Sequence, residues 1–134
     1  MTRRWLALPL VFFAAAELLA DPVGGKMELL CAPGYVMHCS SGGKCELGPA
    51  ENYNIPSFLR IDLDNRVILT SEASDEQQRT PIQQMSRENG EIYLQGVENG
   101  RVYSVVINEA SGDLVLGIIS TGETATAFGA CTPD

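Results

Sequence analysis

Two Asn-Gly dipeptides ten residues apart, Asn89-Gly90 and Asn99-Gly100, constrain this chain more than any other feature. A two-residue hairpin turn needs positive φ at both central residues, and Asn followed by Gly adopts it at least cost. The flanking runs 91–95 and 102–107 are rich in Ile, Tyr, Leu and Val. They therefore read as consecutive antiparallel strands. Ala110-Ser111-Gly112 predicts a longer hairpin into 114–119, and Thr121-Gly122 a turn into a last strand over 124–131. Ala125, Ala127 and Gly129 share one face of that strand and suit close packing against a neighbour.

The same grammar extends upstream. Residues 58–63 alternate, with Leu59, Ile61 and Leu63 on one face and Phe58, Arg60 and Asp62 on the other. Asp64-Asn65 turns the chain into a strand over 66–70. The polar stretch 71–79 contains Ser74-Asp75-Glu76-Gln77, a capping-box pattern for one helical turn, but has no apolar stripe and reads as a loop. A strand over 80–85 contains Pro81, which suits a sheet edge. Stretches 27–31 and 35–39 add one or two strands, and no helical periodicity occurs after residue 20. The expectation is an all-β, antiparallel meander of seven or eight short strands, forming a small closed or partly open barrel. An open sandwich or curled sheet is the alternative. The runs 102–107 and 114–119 are apolar on both faces, which predicts a central, covered hairpin with Val106 and Leu116 deeply buried.

Residues 1–20 have the form of a secretory signal. Arg3 and Arg4 precede an apolar run over 5–16, and Ala20 offers a small residue for cleavage before Asp21. The run is shorter than the roughly 20 residues needed to cross a bilayer. Leu30 before Cys31, far from the apolar run, argues against lipidation. Cleavage leaves one domain over 21–134 with seven basic and sixteen acidic residues, a net charge of −9. Such a domain repels phosphate backbones and anionic membranes; the partner class it suits is a basic protein. Its oligomeric state is left open.

All four cysteines, Cys31, Cys39, Cys45 and Cys131, lie beyond the signal, and an even count in a small exported domain predicts two disulfides. Cys39 and Cys45 flank five residues, Ser40 to Lys44, and fit opposed positions on a hairpin. Cys31 then joins Cys131, tying the first strand to the last. Two other connectivities remain open. No Cys-x-x-Cys pair is present and His38 is the sole histidine, so no zinc site is expected.

Catalytic patterns are equally sparse. His38 beside Cys39 has no Gly-x-Ser-x-Gly nucleophile elbow to serve and reads as a strand-surface residue. Asp62-Leu63-Asp64-Asn65 fails as a calcium loop, with Arg66, Val67 and Ala73 where a ligand, a glycine and a glutamate are required. No cofactor motif occurs. Tyr93, Tyr103 and Phe128 are candidates for one aromatic cluster, in the core or on a recognition face.

Three stretches carry a resemblance: Pro56-Ser57-Phe58-Leu59-Arg60-Ile61-Asp62, Leu94-Gln95-Gly96-Val97-Glu98-Asn99-Gly100-Arg101 and Ala127-Phe128-Gly129-Ala130-Cys131-Thr132. They resemble small exported proteobacterial β-domain proteins without an assigned activity, which implies a periplasmic β domain and no particular site residue. A looser similarity is to the periplasmic inhibitors of c-type lysozyme, small barrels whose recognition loop carries a Ser-Gly-x-x-Tyr-like element. Here Ser86, Gly90 and Tyr93 have the residue types at a different spacing, so that site is not carried over. The functional expectation is a non-enzymatic, inhibitor-like protein-binding module, periplasmic or secreted. A small-ligand or lipid carrier is the alternative, and a small hydrolase ranks third.

Overall fold

The computed structural model describes residues 23–70 and 78–134. The expected signal segment, its cleavage site between Ala20 and Asp21, and the capping-box turn at 74–77 lie outside the described residues.

Among the described residues ten strands form one antiparallel sheet. They are β1 (Glu28–Ser40), β2 (Cys45–Pro49), β3 (Leu59–Asp62), β4 (Val67–Thr70), β5 (Arg79–Pro81), β6 (Gln84–Glu88), β7 (Glu91–Glu98), β8 (Arg101–Asn108), β9 (Asp113–Ser120) and β10 (Glu123–Pro133). A 3-10 turn, Ala50–Tyr53, follows β2. The order across the sheet is β5-β4-β3-β1-β10-β9-β8-β7-β6, with β2 pairing on β1.

The all-β antiparallel expectation holds, and β6 to β10 are the expected meander. Asn89 and Gly90 take φ of 54° and 78°, Asn99 and Gly100 of 51° and 74°, the positive pair a tight hairpin requires. Gly112 also needs its lack of a side chain. Its φ is 76° and its carbonyl accepts the Cys131 N–H at 2.7 Å, so a Cβ there would run into the Cys131 carbonyl.

A simple meander throughout is corrected at β1. Residues 28–31 and 35–39 belong to one 13-residue strand in the middle of the sheet, with Met27 just before it. Pro33 and Gly34 are absorbed as an irregularity, with the β10 register shifting between Pro33 and Val36. A strand this long serves two short partners in succession on its other side, β3 along residues 28–31 and β2 along 35–39.

The expected strand over 80–85 is also corrected. Pro81 closes β5 and Gln84 opens β6, and these are the two edges of the sheet. Between them the Ile82 N–H donates to the Arg66 carbonyl at 2.9 Å and the Gln83 N–H to the Gln95 carbonyl at 3.0 Å. One stretch of chain thus bonds β4 with its first part and β7 with its second, so the sheet curls until its edges are consecutive. The Gln83 side chain extends the join, accepting the Val97 N–H at 3.1 Å. Tyr103 closes the corner from within: its hydroxyl donates to the Pro81 carbonyl at 2.5 Å while its ring lies over Gly96, where any Cβ would clash.

The core fills the concave side. Leu29, Ile61, Ile92, Leu94, Ile107 and Leu114 are buried to within 2%. Each contributes about 1.5–3 kcal/mol relative to exposure. Ala125 and Ala127 are buried as expected, and Gly129 lies against the Ala32 carbonyl. The β8–β9 hairpin departs from expectation: Tyr103, Val105, Ile107, Leu114 and Leu116 are buried, but Val102, Val115 and Ile119 are exposed and Val106 is half-buried. The sheet is one layer thick and curls over its own core, so among the described residues nothing covers its convex side.

Both disulfides pair as expected, Cys31–Cys131 and Cys39–Cys45, each joining directly opposed residues with Cα atoms 4.0 and 4.1 Å apart. Two such bonds fit an oxidising compartment. No helix among the described residues is long and apolar enough to cross a membrane.

Candidate functional site

Strand pleating sends alternate side chains of β7, β8, β9 and β10 outward, and the pairing register aligns them in rows. The first row is Tyr93, Val106, Val115 and Phe128. The second runs from Gln95 through Ser104, Gly117 and Thr126 to Met37 of β1 and Leu47 of β2. Val97, Val102, Ile119 and Thr124 form the third, which ends on the Cys39–Cys45 disulfide. Not one of these positions is Asp, Glu, Lys, Arg or His, in a chain of net charge −8.

The bulky members stand clear of the surface. Phe128 is 67% exposed, Leu47 65% and Ile119 56%, and Tyr35 beside Phe128 is also open. Small residues, Ser104, Gly117 and Thr126, occupy the centre between the outer rows. Charge resumes one step beyond the first row, where Glu91 and Asp113 precede Tyr93 and Val115 on their strands and Glu88 faces Glu91. That rim is acidic. Glu91 accepts the Tyr93 hydroxyl at 2.5 Å, which together with the nearby carboxylate charges raises the Tyr93 pKa above its ordinary value.

The expected aromatic cluster is therefore divided. Tyr93 and Phe128 lie on the outer face, in one row, while Tyr103 is in the core. Ser86 and Tyr93, compared above with an inhibitor element, are direct cross-strand partners on β6 and β7, and Gly90 lies in the turn between those strands.

The second feature is the open end of the curl, where inward positions at strand ends are polar. His38 of β1 is half-buried on this inner side, on the same face of the strand as Val36. Its Nε2 lies 3.0 Å from Glu123 Oε2, and its ring stacks on Tyr53 with centroids 5.0 Å apart. The Ser120 hydroxyl donates to the other Glu123 oxygen at 3.2 Å. These bonds, His38 first and Ser120 second, hold the Glu123 carboxyl below its ordinary pKa. With Asn52, Asn54 and Arg101 these groups line a polar vestibule of about 280 Å³.

A smaller chamber of about 100 Å³ adjoins it, with Ile55, Leu59, Ile68, Val105, Leu116 and Ile118 on its apolar side and Asn54, Thr70, Gln78 and Thr80 among its polar lining. Arg101, Asn54 and Ile118 line both spaces. Glu98 also faces the chamber and accepts the Thr80 hydroxyl. Burial, then the Glu98 charge, raises the Tyr103 pKa.

The Ser120 hydroxyl is directed at Glu123 and not at the imidazole, so it is not paired with a base that would activate it. Among the described residues no group of three or more His, Cys, Asp or Glu side chains is disposed as a metal site. Asp62 instead caps its own turn, accepting the Asn65 N–H at 2.8 Å and its side-chain amide at 2.7 Å.

Sequence reasoning missed this mouth because its residues come from four separated segments, each at a strand or turn end. The outer face was visible as surplus apolar residues and misread as core. No family model, curated protein or solved structure matches the chain.

Proposed function

We propose that this protein is a non-enzymatic, exported binding module, periplasmic or secreted, whose outer sheet face docks a basic protein partner. The observation that carries this reading is the uncharged, exposed apolar face in a chain of net charge −8. From β7 to β2 it spans about 24 Å across the strands and about 14 Å along them, between Cα positions. With side-chain overhang that is on the order of 600 Å², approaching the roughly 800 Å² per partner of a stable interface. Maintaining such a surface in water favours aggregation, and a binding role accounts for its retention. The acidic rim of Glu88, Glu91 and Asp113 supplies the complementarity: an apolar contact bordered by Lys or Arg docks here in one orientation.

The test uses Ser104→Arg, a charge placed at the centre of the face on a side chain that already points outward. A photo-reactive residue at Ile119, introduced in the otherwise native chain, is expected to form a discrete adduct. The partner so identified, once purified, should have a basic surface, bind at lower affinity as salt rises, and lose at least tenfold affinity for Ser104→Arg. An adduct with a second copy of this chain, or binding indifferent to Ser104→Arg, would overturn the proposal.

A further inference from the structure

We infer that the open end of the curl is a binding site for a small zwitterion with a short branched apolar side chain, the chemistry of an apolar α-amino acid. This site is separate from the outer face and does not rest on the docking proposal.

Arg101 is the cation of this end of the curl. It lines both the vestibule and the chamber, and its charge acts on the Glu123 carboxylate without a direct ion pair between them. A guanidinium offers five donors in a planar fork that matches a carboxylate. Two fixed acids flank it. Glu98 faces the chamber and Glu123 the vestibule, and each has acceptor capacity beyond the hydrogen bonds it makes. A simple anion would meet two negative charges beside one positive, and a simple cation would meet the guanidinium. A molecule carrying both charges a few ångströms apart satisfies both sets.

The chamber sets the third requirement. Its apolar side is formed by Ile55, Leu59, Ile68, Val105, Leu116 and Ile118, its polar side includes Asn54, Thr70, Gln78 and Thr80, and its volume is about 100 Å³. A 150 Å³ apolar cavity accommodates benzene. The smaller space here suits a side chain of three or four carbons and is too small to enclose a long acyl chain. The lipid arm of the carrier alternative is therefore disfavoured at this site. Asn52 and Asn54 add amide groups at the vestibule wall, and the His38–Tyr53 stack gives it a rigid side.

The experiment is calorimetric titration of the purified protein with L-leucine, with isovalerate, which keeps the side chain and carboxylate, and with isoamylamine, which keeps the side chain and ammonium. Leucine should bind at least tenfold more tightly than either fragment. Arg101→Gln should abolish leucine binding, whereas Arg87→Gln, at a distant surface pair with Glu109, should leave it unchanged. Ile118→Phe, which fills the chamber from a half-buried position, should weaken leucine while sparing glycine. Backbone NMR shifts on adding leucine should centre on Arg101, Glu123 and Ile118, a readout that needs no variant to fold. Absence of leucine binding at about 10 mM, isovalerate binding as tightly as leucine, or shifts centred elsewhere would each overturn the inference.

Discussion

The two faces of the β8–β9 hairpin are built from nearly the same residue types and meet opposite surroundings. Inward are Tyr103, Val105, Ile107, Leu114 and Leu116, all buried; outward are Val102, Val106, Val115 and Ile119, exposed or half-buried. Apolar composition marks a surface as one that gains from leaving water, but not what removes it from water. For the inner face that is the curl of the sheet itself. For the outer face no part of the described chain does so, which is why it is the candidate docking surface.

The sharpest way to break this comparison is to place a carboxylate on each side. Ile107→Asp should abolish cooperative unfolding, because a fully buried, unpaired carboxylate costs several kcal/mol, comparable to the stability of a small domain. Val106→Asp, one residue away and half-buried on the outer side, should remain folded at a cost of about 1 kcal/mol. Urea denaturation followed by circular dichroism decides it. Unfolding of both variants would mean that something covers the outer face in solution.

The disulfides repeat the contrast. Cys31 and Cys131 are buried on the inner side, and Cys39–Cys45 lies on the outer rows. The inner bond closes a separation of 100 residues and the outer one of 6. In the chain-entropy model these are worth about 4–5 and about 2 kcal/mol. Cys31→Ala with Cys131→Ala should therefore lower stability more than Cys39→Ala with Cys45→Ala. The reverse ordering would mean that the long β1–β10 ladder already holds those strands together and the inner bond adds little.

What the sequence revealed and what it concealed divides along the same physical line. Turn chemistry is local, so Asn89-Gly90, Asn99-Gly100 and the Cys39–Cys45 hairpin could be read directly. Strand order is not local. No pattern near residue 33 indicates that β1 continues through an irregularity and lies between β3 and β10, because the reason is the pairing opportunity on both its sides. The Ile82–Gln83 corner was hidden likewise, its partners being Arg66 and Gln95. At the mouth, His38, Tyr53, Arg101 and Glu123 each look like ordinary strand-end or turn residues until the curl brings them together.

A gentler probe sharpens the comparison without introducing charge. Leu116→Ala should cost about 2–5 kcal/mol, since it opens a cavity in packed surroundings. Its neighbour Val115→Ala, on the outer face, should stay within about 0.5–1 kcal/mol of wild type. Thermal melts suffice for the stability comparison. For Val115→Ala the more informative readout is partner affinity, which should fall although stability barely moves. Equal stability losses would show that both faces are packed.

The smallest expected effect lies in the pH dependence. The carboxyls of Glu123, Asp62 and Glu51 all have lowered pKa values, held by His38, the Asn65 side chain and the Ser57 hydroxyl respectively. The fold thus favours their ionised forms. Their contribution is present above the unfolded-state carboxylate range, near pH 4–4.5, and is lost as pH falls through the lower folded values. Tyr103 has the opposite sign: burial raises its pKa, so its contribution is present below about pH 10 and lost as pH rises through the folded value. Because the three acids are solvent-exposed, the acid limb should be shallow, and Glu123→Gln should flatten it further while leaving the alkaline limb unchanged. Urea midpoints measured from about pH 11 to about pH 3 test this. An acid limb as steep in Glu123→Gln as in wild type would mean that the His38–Glu123 hydrogen bond does not persist in solution. The vestibule would then lose the fixed carboxylate on which its recognition of a zwitterion depends.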